Sequence, residues 1–132
     1  MPEIFLSYSH SDRAWADQFS ASLQAAGVEV WFDAHHIQPG DRWAEQVEQA
    51  LRASDTMIFI LSPSSSQSPW TFFEWGAAVA DRKRIIPVLG PDMAPEQVPD
   101  LMRGLQFLTA SSPSEAGKQV ARALGMASAG KR

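Results

Sequence analysis

Thr56-Met57-Ile58-Phe59-Ile60-Leu61 runs into Ser62-Pro63-Ser64-Ser65-Ser66-Gln67 and then into Ser68-Pro69, and this stretch decides the fold. From Met57 to Leu61 the apolar side chains fall on successive positions, not alternate ones. A strand with one wet face alternates; a strand covered by helices on both faces does not. The small polar residues that follow read as a loop. Ser68 stands where a helix is capped and Pro69 where one begins, because the first helical position has no use for an N–H. Strand, loop and helix in that order are the building unit of a parallel sheet.

The same unit recurs on either side. Ile4 to Tyr8 reads as a first strand, followed by a helix with Trp15, Phe19 and Leu23 at helical spacing that stops at Gly27. Val28 to Phe32 reads as a second strand. A polar loop from Asp33 to Gly40 holds a Pro-Gly pair, and Asp41 can cap a helix with Trp43, Val47, Ala50 and Leu51 on its apolar side. A third helix is expected from Pro69 to about Arg82, a fourth strand from Ile85 to Leu89 despite Pro87, a short fifth strand from Leu105 to Leu108, and a last helix from about Ser114 to Leu124. The expected fold class is α/β: a flavodoxin-like three-layer fold with a central parallel five-stranded sheet flanked by helices, its order 2-1-3-4-5 taken from the architecture. One domain is expected over residues 1–126, with a flexible tail over 127–132.

With 132 residues, 45% of them apolar and 20% charged, the chain has the make-up of a globular domain large enough for its own core. A formal net charge of −4 without any basic block argues against a nucleic-acid partner. The lack of cysteine removes disulfides, thiolate zinc sites and a cysteine nucleophile, and fits a reducing cytosol. No signal peptide is readable at Met1-Pro2-Glu3, and no apolar run nears the ~20 residues that cross a bilayer. The expected location is cytoplasmic, with no membrane partner.

In an open sheet of this order, ligands bind where the order reverses, beyond the carboxyl ends of strands 1 and 3. Those ends are Ser7-Tyr8-Ser9-His10 and Ser62 to Pro69, and the Asp33 to Gly40 loop can fold over the same edge. On the helix from Pro69 each residue advances ~100°. Phe72, Phe73, Gly76, Val79 and Ala80 then share one side, the expected buried face. Trp70 and Glu74, four apart, are expected beside one another and away from it. From spacing alone the pair has two readings. One is a solvated glutamate with a loop-capping tryptophan; the other is an aromatic plate and a carboxylate at a ligand site, with small Ala77 and Ala78 leaving room.

Four segments carry a family likeness: Ile4-Phe5-Leu6-Ser7-Tyr8-Ser9-His10-Ser11-Asp12; Val30-Trp31-Phe32-Asp33 through Ile37-Gln38-Pro39-Gly40 to Trp43; Phe59-Ile60-Leu61-Ser62-Pro63; and Trp70-Thr71-Phe72-Phe73-Glu74. In this order they resemble the boxes of the TIR (Toll/interleukin-1 receptor) domain family, in its bacterial, NAD+-cleaving branch, from about Ile4 to Leu108. The resemblance implies an NAD+ glycohydrolase that cuts the nicotinamide–ribose bond, giving nicotinamide and ADP-ribose or a cyclic ADP-ribose isomer, in bacterial defence or effector signalling. It implies Glu74 as the catalytic residue, with Trp70 lining the pocket. Tyr8, Ser9, His10, Phe32, Asp33 and Trp43 would complete the substrate site. Ile37, Pro39 and Gly40 would form an interaction loop for TIR–TIR self-association. NAD+ enters as substrate and no cofactor is implied; a fused or partner effector domain is. The alternative is a non-catalytic adaptor that only binds other TIR domains.

The implied chemistry is coherent. Nicotinamide is a cationic pyridinium in NAD+ and leaves neutral, so the two carboxylates of ordinary glycosidases can shrink to one. That one can hold ribose hydroxyls and stabilise the oxocarbenium charge, while an aromatic face suits the cationic ring. Ser9 and His10 fit equally as turn residues that start the first helix. Trp43 fits equally under the loop, and adjacent His35 and His36 read as solvated residues with no third metal ligand. A receiver domain would need acidic residues after strand 1 and an aspartate ending strand 3, where this chain has Ser9-His10 and Ser62. A nucleoside deoxyribosyltransferase-like enzyme would also set a glutamate on a sugar, but the loop segments match it less well.

Overall fold

The computed structural model describes residues 4–28, 30, 32–33, 43–105, 107–110 and 112–125, and for residues 32, 33, 43, 44, 46–48 and 70 the backbone alone. The loop positions Ile37, Pro39 and Gly40, together with His35, His36 and Asp41, lie outside the described residues, as does the tail 127–132.

The chain folds as α/β, a parallel sheet flanked by helices. Its elements are β1 (Ile4–Ser7), α1 (Arg13–Ala25), β2 (Phe32–Asp33), α2 (Trp43–Ala53), β3 (Thr56–Leu61), α3 (Pro69–Ala80), β4 (Arg84–Leu89) and α4 (Pro113–Ala123). The described strands are ordered β2-β1-β3-β4, all parallel. Phe5 pairs with Phe32, Ser7 with Phe59, and Pro87 with Phe59 from the other side. The order reverses between β1 and β3, the position at which open α/β sheets in general take their ligands.

The five-stranded sheet is the part of the expectation that the structure does not reproduce. Beside β4 the described residues of the expected fifth strand make one bridge, Val88 with Leu108. That bridge also explains Pro87. In a parallel strand, a residue's N–H and C=O point to the same neighbour. The Leu108 N–H donates to the Pro87 carbonyl at 2.9 Å, and the Leu89 N–H to the Leu108 carbonyl at 2.9 Å. Pro87 therefore turns its missing N–H toward the bridge, and the ladder to β3 runs unbroken from Thr56–Arg84 to Leu61–Leu89.

Side-chain alternation sends each strand's residues to two different cores. Ile4, Leu6, Ile58, Ile60, Ile86 and Val88 pack with Phe19 and Leu23 of α1 and Val120 of α4. Phe5, Met57, Phe59, Leu61 and Leu89 pack with Leu51 of α2 and Trp75 and Ala78 of α3. This is why β1 and β3 are buried at every position and read as continuous apolar runs. α1 and α4 lie close together. A Cβ on Gly117 would stand 2.5 Å from the Ser22 Cβ and 3.0 Å from the Phe19 carbonyl oxygen, so only glycine permits this approach. Three helix ends follow sequence chemistry, whereas Ser68 stands at the N-cap of α3 without the expected side-chain cap hydrogen bond. Gly27 closes α1 at φ 89°, Pro69 opens α3, and the Ser112 hydroxyl accepts from the Glu115 N–H at 3.1 Å.

Candidate active site

Helix α3 carries the central residue, and it is turned otherwise than its spacing suggests. Among its residues with described side chains, the buried positions are Thr71, Glu74, Trp75 and Ala78, the i, i+3, i+4, i+7 stripe of one helix face. Phe73 and Val79, expected inside, are 51% and 53% exposed. Gly76 and Ala80 are exposed as well, and Phe72 is half-buried. The expected and observed faces differ by roughly half a turn at ~100° per residue. The physical reason is the indole of Trp75. It packs edge-on to Phe59 of β3, with ring centroids 5.1 Å apart, and this buries more apolar surface than either phenylalanine. A helix that is apolar nearly all round leaves the choice of face to such contacts.

The consequence is that Glu74 points inward. It is 1% exposed and ranks among the largest fully buried side chains. A carboxylate taken from water pays a heavy desolvation cost unless it is given hydrogen bonds. Ser7, the last residue of β1, supplies one: its hydroxyl donates to Glu74 Oε1 at 2.6 Å. Ser7 is 5% exposed. Strand alternation puts Ser7 on the Phe5 side of the sheet, facing α3.

Further hydroxyls knit the same edge of the sheet. Ser62, just past β3, donates to the buried Asp12 carboxylate, and the Ser65 N–H donates to Ser62 Oγ at 3.1 Å. Asp12 precedes α1 but makes no side-chain cap there; it ties the exit of β1 to the exit of β3 instead. Ser9 Oγ lies 3.1 Å from Ser11 Oγ, which donates to Ser64 Oγ at 3.1 Å, a second tie between the two exits.

The other residues named from sequence are distributed as follows. Ser9 and the exposed His10 stand just past the carboxyl end of β1. Tyr8 does not join Glu74. It is 8% exposed and packs in the core under α1 and α4, on the opposite side of the sheet, because it shares the parity of Ile4 and Leu6. Phe32 and Asp33 form β2 beside β1, Trp43 begins α2, and Trp70 lies in the first turn of α3, one turn before Glu74; their side chains lie outside the described residues. Sequence reasoning missed Ser7 and Trp75. Ser7 had a signal: a hydroxyl within the apolar run Ile4-Phe5-Leu6, which a buried strand accepts only with a partner. Among the described residues, no group of three or more His, Asp or Glu is placed to hold a metal ion.

A family model described as the TIR domain matches residues 4–124. The NAD(+) hydrolase PdTIR of Paracoccus denitrificans is 30% identical over 91 residues, covering 65% of this chain and 30% of that protein. The 2' cyclic ADP-D-ribose synthase AbTIR of Acinetobacter baumannii is 28% identical over 91 residues, covering 65% of this chain and 34% of that protein. The aligned part thus spans about a third of the length of these two relatives. In fold, the chain is similar to the TIR domain of the Toll-related receptor TRR-2 from Hydra magnipapillata, with a TM-score of 0.68, 20% identity and coverage of 94% of this chain and 91% of that one.

Proposed function

The chain belongs to the TIR domain family, and on that premise we propose that it cleaves NAD+ at the nicotinamide–ribose bond, with Glu74 as the catalytic carboxylate. The observation that carries this reading is the burial of Glu74 at the sheet edge where ligands bind, 1% exposed and held by Ser7. A core position normally takes an apolar residue, and a buried carboxylate at the switch point of an open sheet is a functional-site candidate. Two relatives named for NAD+ hydrolysis and for cyclic ADP-ribose synthesis support the choice of substrate.

In the proposed step the bond between ribose C1' and the pyridinium nitrogen breaks. Nicotinamide leaves with the electron pair and is neutral. Positive charge develops on the ribosyl ring, and the Glu74 carboxylate stabilises it and holds the ribose hydroxyls. Water adds to C1' and loses a proton to give ADP-ribose; capture by a nucleophile of the same dinucleotide gives a cyclic isomer. Trp70, one helical turn earlier, is the proposed face for the cationic ring. Ser9, His10, Phe32, Asp33 and Trp43 are proposed for the rest of the substrate. The direct test is release of nicotinamide from NAD+ by concentrated protein, which Glu74→Gln abolishes.

One observation favours a second reading, a binding module for other TIR domains. Phe73 and Val79 leave the outward side of α3 apolar and exposed. If that is the whole function, Phe73→Glu removes self-association seen by sedimentation, and no nicotinamide is released at any protein concentration.

A further inference from the structure

We propose that Ser7 is a positioning residue for Glu74: its hydroxyl fixes the rotation of the carboxylate that faces the sugar. This rests on the NAD+-cleavage reading and extends it to the residue that holds its carboxylate.

A glutamate side chain has three rotatable bonds, and a carboxylate can stabilise a developing charge only if it waits in the right place. What holds it must be stiffer than it is. Ser7 meets that need. It ends β1, a strand paired on both sides, to β2 and to β3. Its backbone is registered against Phe59. The Phe59 ring packs edge-on to Trp75, the residue after Glu74. Strand, aromatic pair, helix and the 2.6 Å hydroxyl–carboxylate bond therefore close a ring through the core, and both ends of the bond are at least nine-tenths buried. An alanine would fill nearly the same space. The hydroxyl is thus the part of Ser7 that the core does not need and the carboxylate does. The bond also joins the first strand to the third helix across 67 positions, so it forms only in the folded domain.

The test compares wild type, Ser7→Ala, Ser7→Thr and Glu74→Gln in the intact chain, each checked for an unchanged circular dichroism spectrum. Turnover is read as nicotinamide release. Independently of turnover, the 13Cδ resonance of Glu74 is followed in glutamate-labelled protein, assigned by its disappearance in Glu74→Gln. The expected result is a fall in kcat of about 10- to 100-fold in Ser7→Ala with KM changed far less, because misplacing a reacting group costs the transition state rather than binding. Ser7→Thr, which keeps the hydroxyl, restores kcat. The Glu74 resonance shifts in Ser7→Ala and returns in Ser7→Thr. Should Ser7→Thr fail to fold, Ser7→Cys, a weak donor, is expected to fall between wild type and Ser7→Ala in both readouts. Full kcat in Ser7→Ala beside a dead Glu74→Gln overturns the inference and leaves the function standing. An unmoved resonance in Ser7→Ala overturns it whether or not the protein turns over. Absence of nicotinamide from wild type overturns the function and with it the catalytic meaning of the bond.

Discussion

Trp75→Ala and Phe73→Ala, made separately, test the orientation of α3 on which the whole site depends. Trp75 is 2% exposed and its ring meets Phe59 edge-on. Truncating a buried tryptophan costs about 3–5 kcal/mol from lost burial and the cavity left behind. Phe73 is 51% exposed. Half its surface is already wet, and its truncation should cost no more than about 1 kcal/mol. A domain of this class is stable by about 5–15 kcal/mol, so the first variant loses a large share of that and the second very little. In melting temperature the first corresponds to a drop of roughly 10–20 °C. Urea unfolding followed by circular dichroism gives both values, with the m-value as a check that the transition is still two-state. Equal costs, or a larger cost at Phe73, would refute the orientation. Glu74 would then stand away from the core, as its spacing first suggested, and the contact with Ser7 would be lost.

Other outcomes follow from single contacts. Gly117→Ala should destabilise by about 1–3 kcal/mol in urea unfolding despite alanine's better helix propensity, because the new Cβ meets Ser22 Cβ at 2.5 Å; an unchanged or raised midpoint would mean that α1 and α4 separate freely. Ser62→Ala removes a donor from buried Asp12 and an acceptor from the Ser65 N–H, and should cost about 1–3 kcal/mol by the same measurement; a neutral result would show that the tie between the β1 and β3 exits is dispensable. Arg82 adopts φ 57° just past the end of α3, so Arg82→Gly should leave stability unchanged or raise it by up to about 1 kcal/mol; a loss greater than that would mean the arginine side chain matters more than the backbone strain.

Much of the fold was legible from local chemistry. Thr56 to Leu61 is a strand with the bounds read from sequence, because a run apolar on both parities has one place to go, the middle of a covered sheet. Pro69 and Gly27 mark helix ends for steric reasons that need no tertiary context. What was not legible is the choice between faces. In α3, phenylalanines, tryptophans and small residues surround the axis, and only the fit of Trp75 against Phe59 selects the buried side. In Ile4 to Tyr8, both parities are apolar, so the run does not say which set faces α3. The resemblance implies Tyr8 as a site residue, whereas Ser7, one residue away and on the opposite face, is the one that meets Glu74. Resemblance and spacing single out Glu74 in the sequence, but its burial against Ser7 belongs to packing between distant segments.

Direct assay of NAD+ cleavage decides whether the buried carboxylate of Glu74 supports rupture of the nicotinamide–ribose bond. Purified wild type and Glu74→Gln, each at high and low protein concentration, are incubated with NAD+, and nicotinamide and ADP-ribose species are resolved by chromatography. Glutamine keeps the shape and an acceptor for the Ser7 hydroxyl while removing the charge, so the fold is expected to survive. The expected result is nicotinamide release by wild type, with a linear or cyclic ADP-ribose product, and a loss of about a thousandfold or more in Glu74→Gln, equivalent to ~4 kcal/mol of transition-state stabilisation. Undiminished release by folded Glu74→Gln, or none from wild type at any concentration, would contradict it.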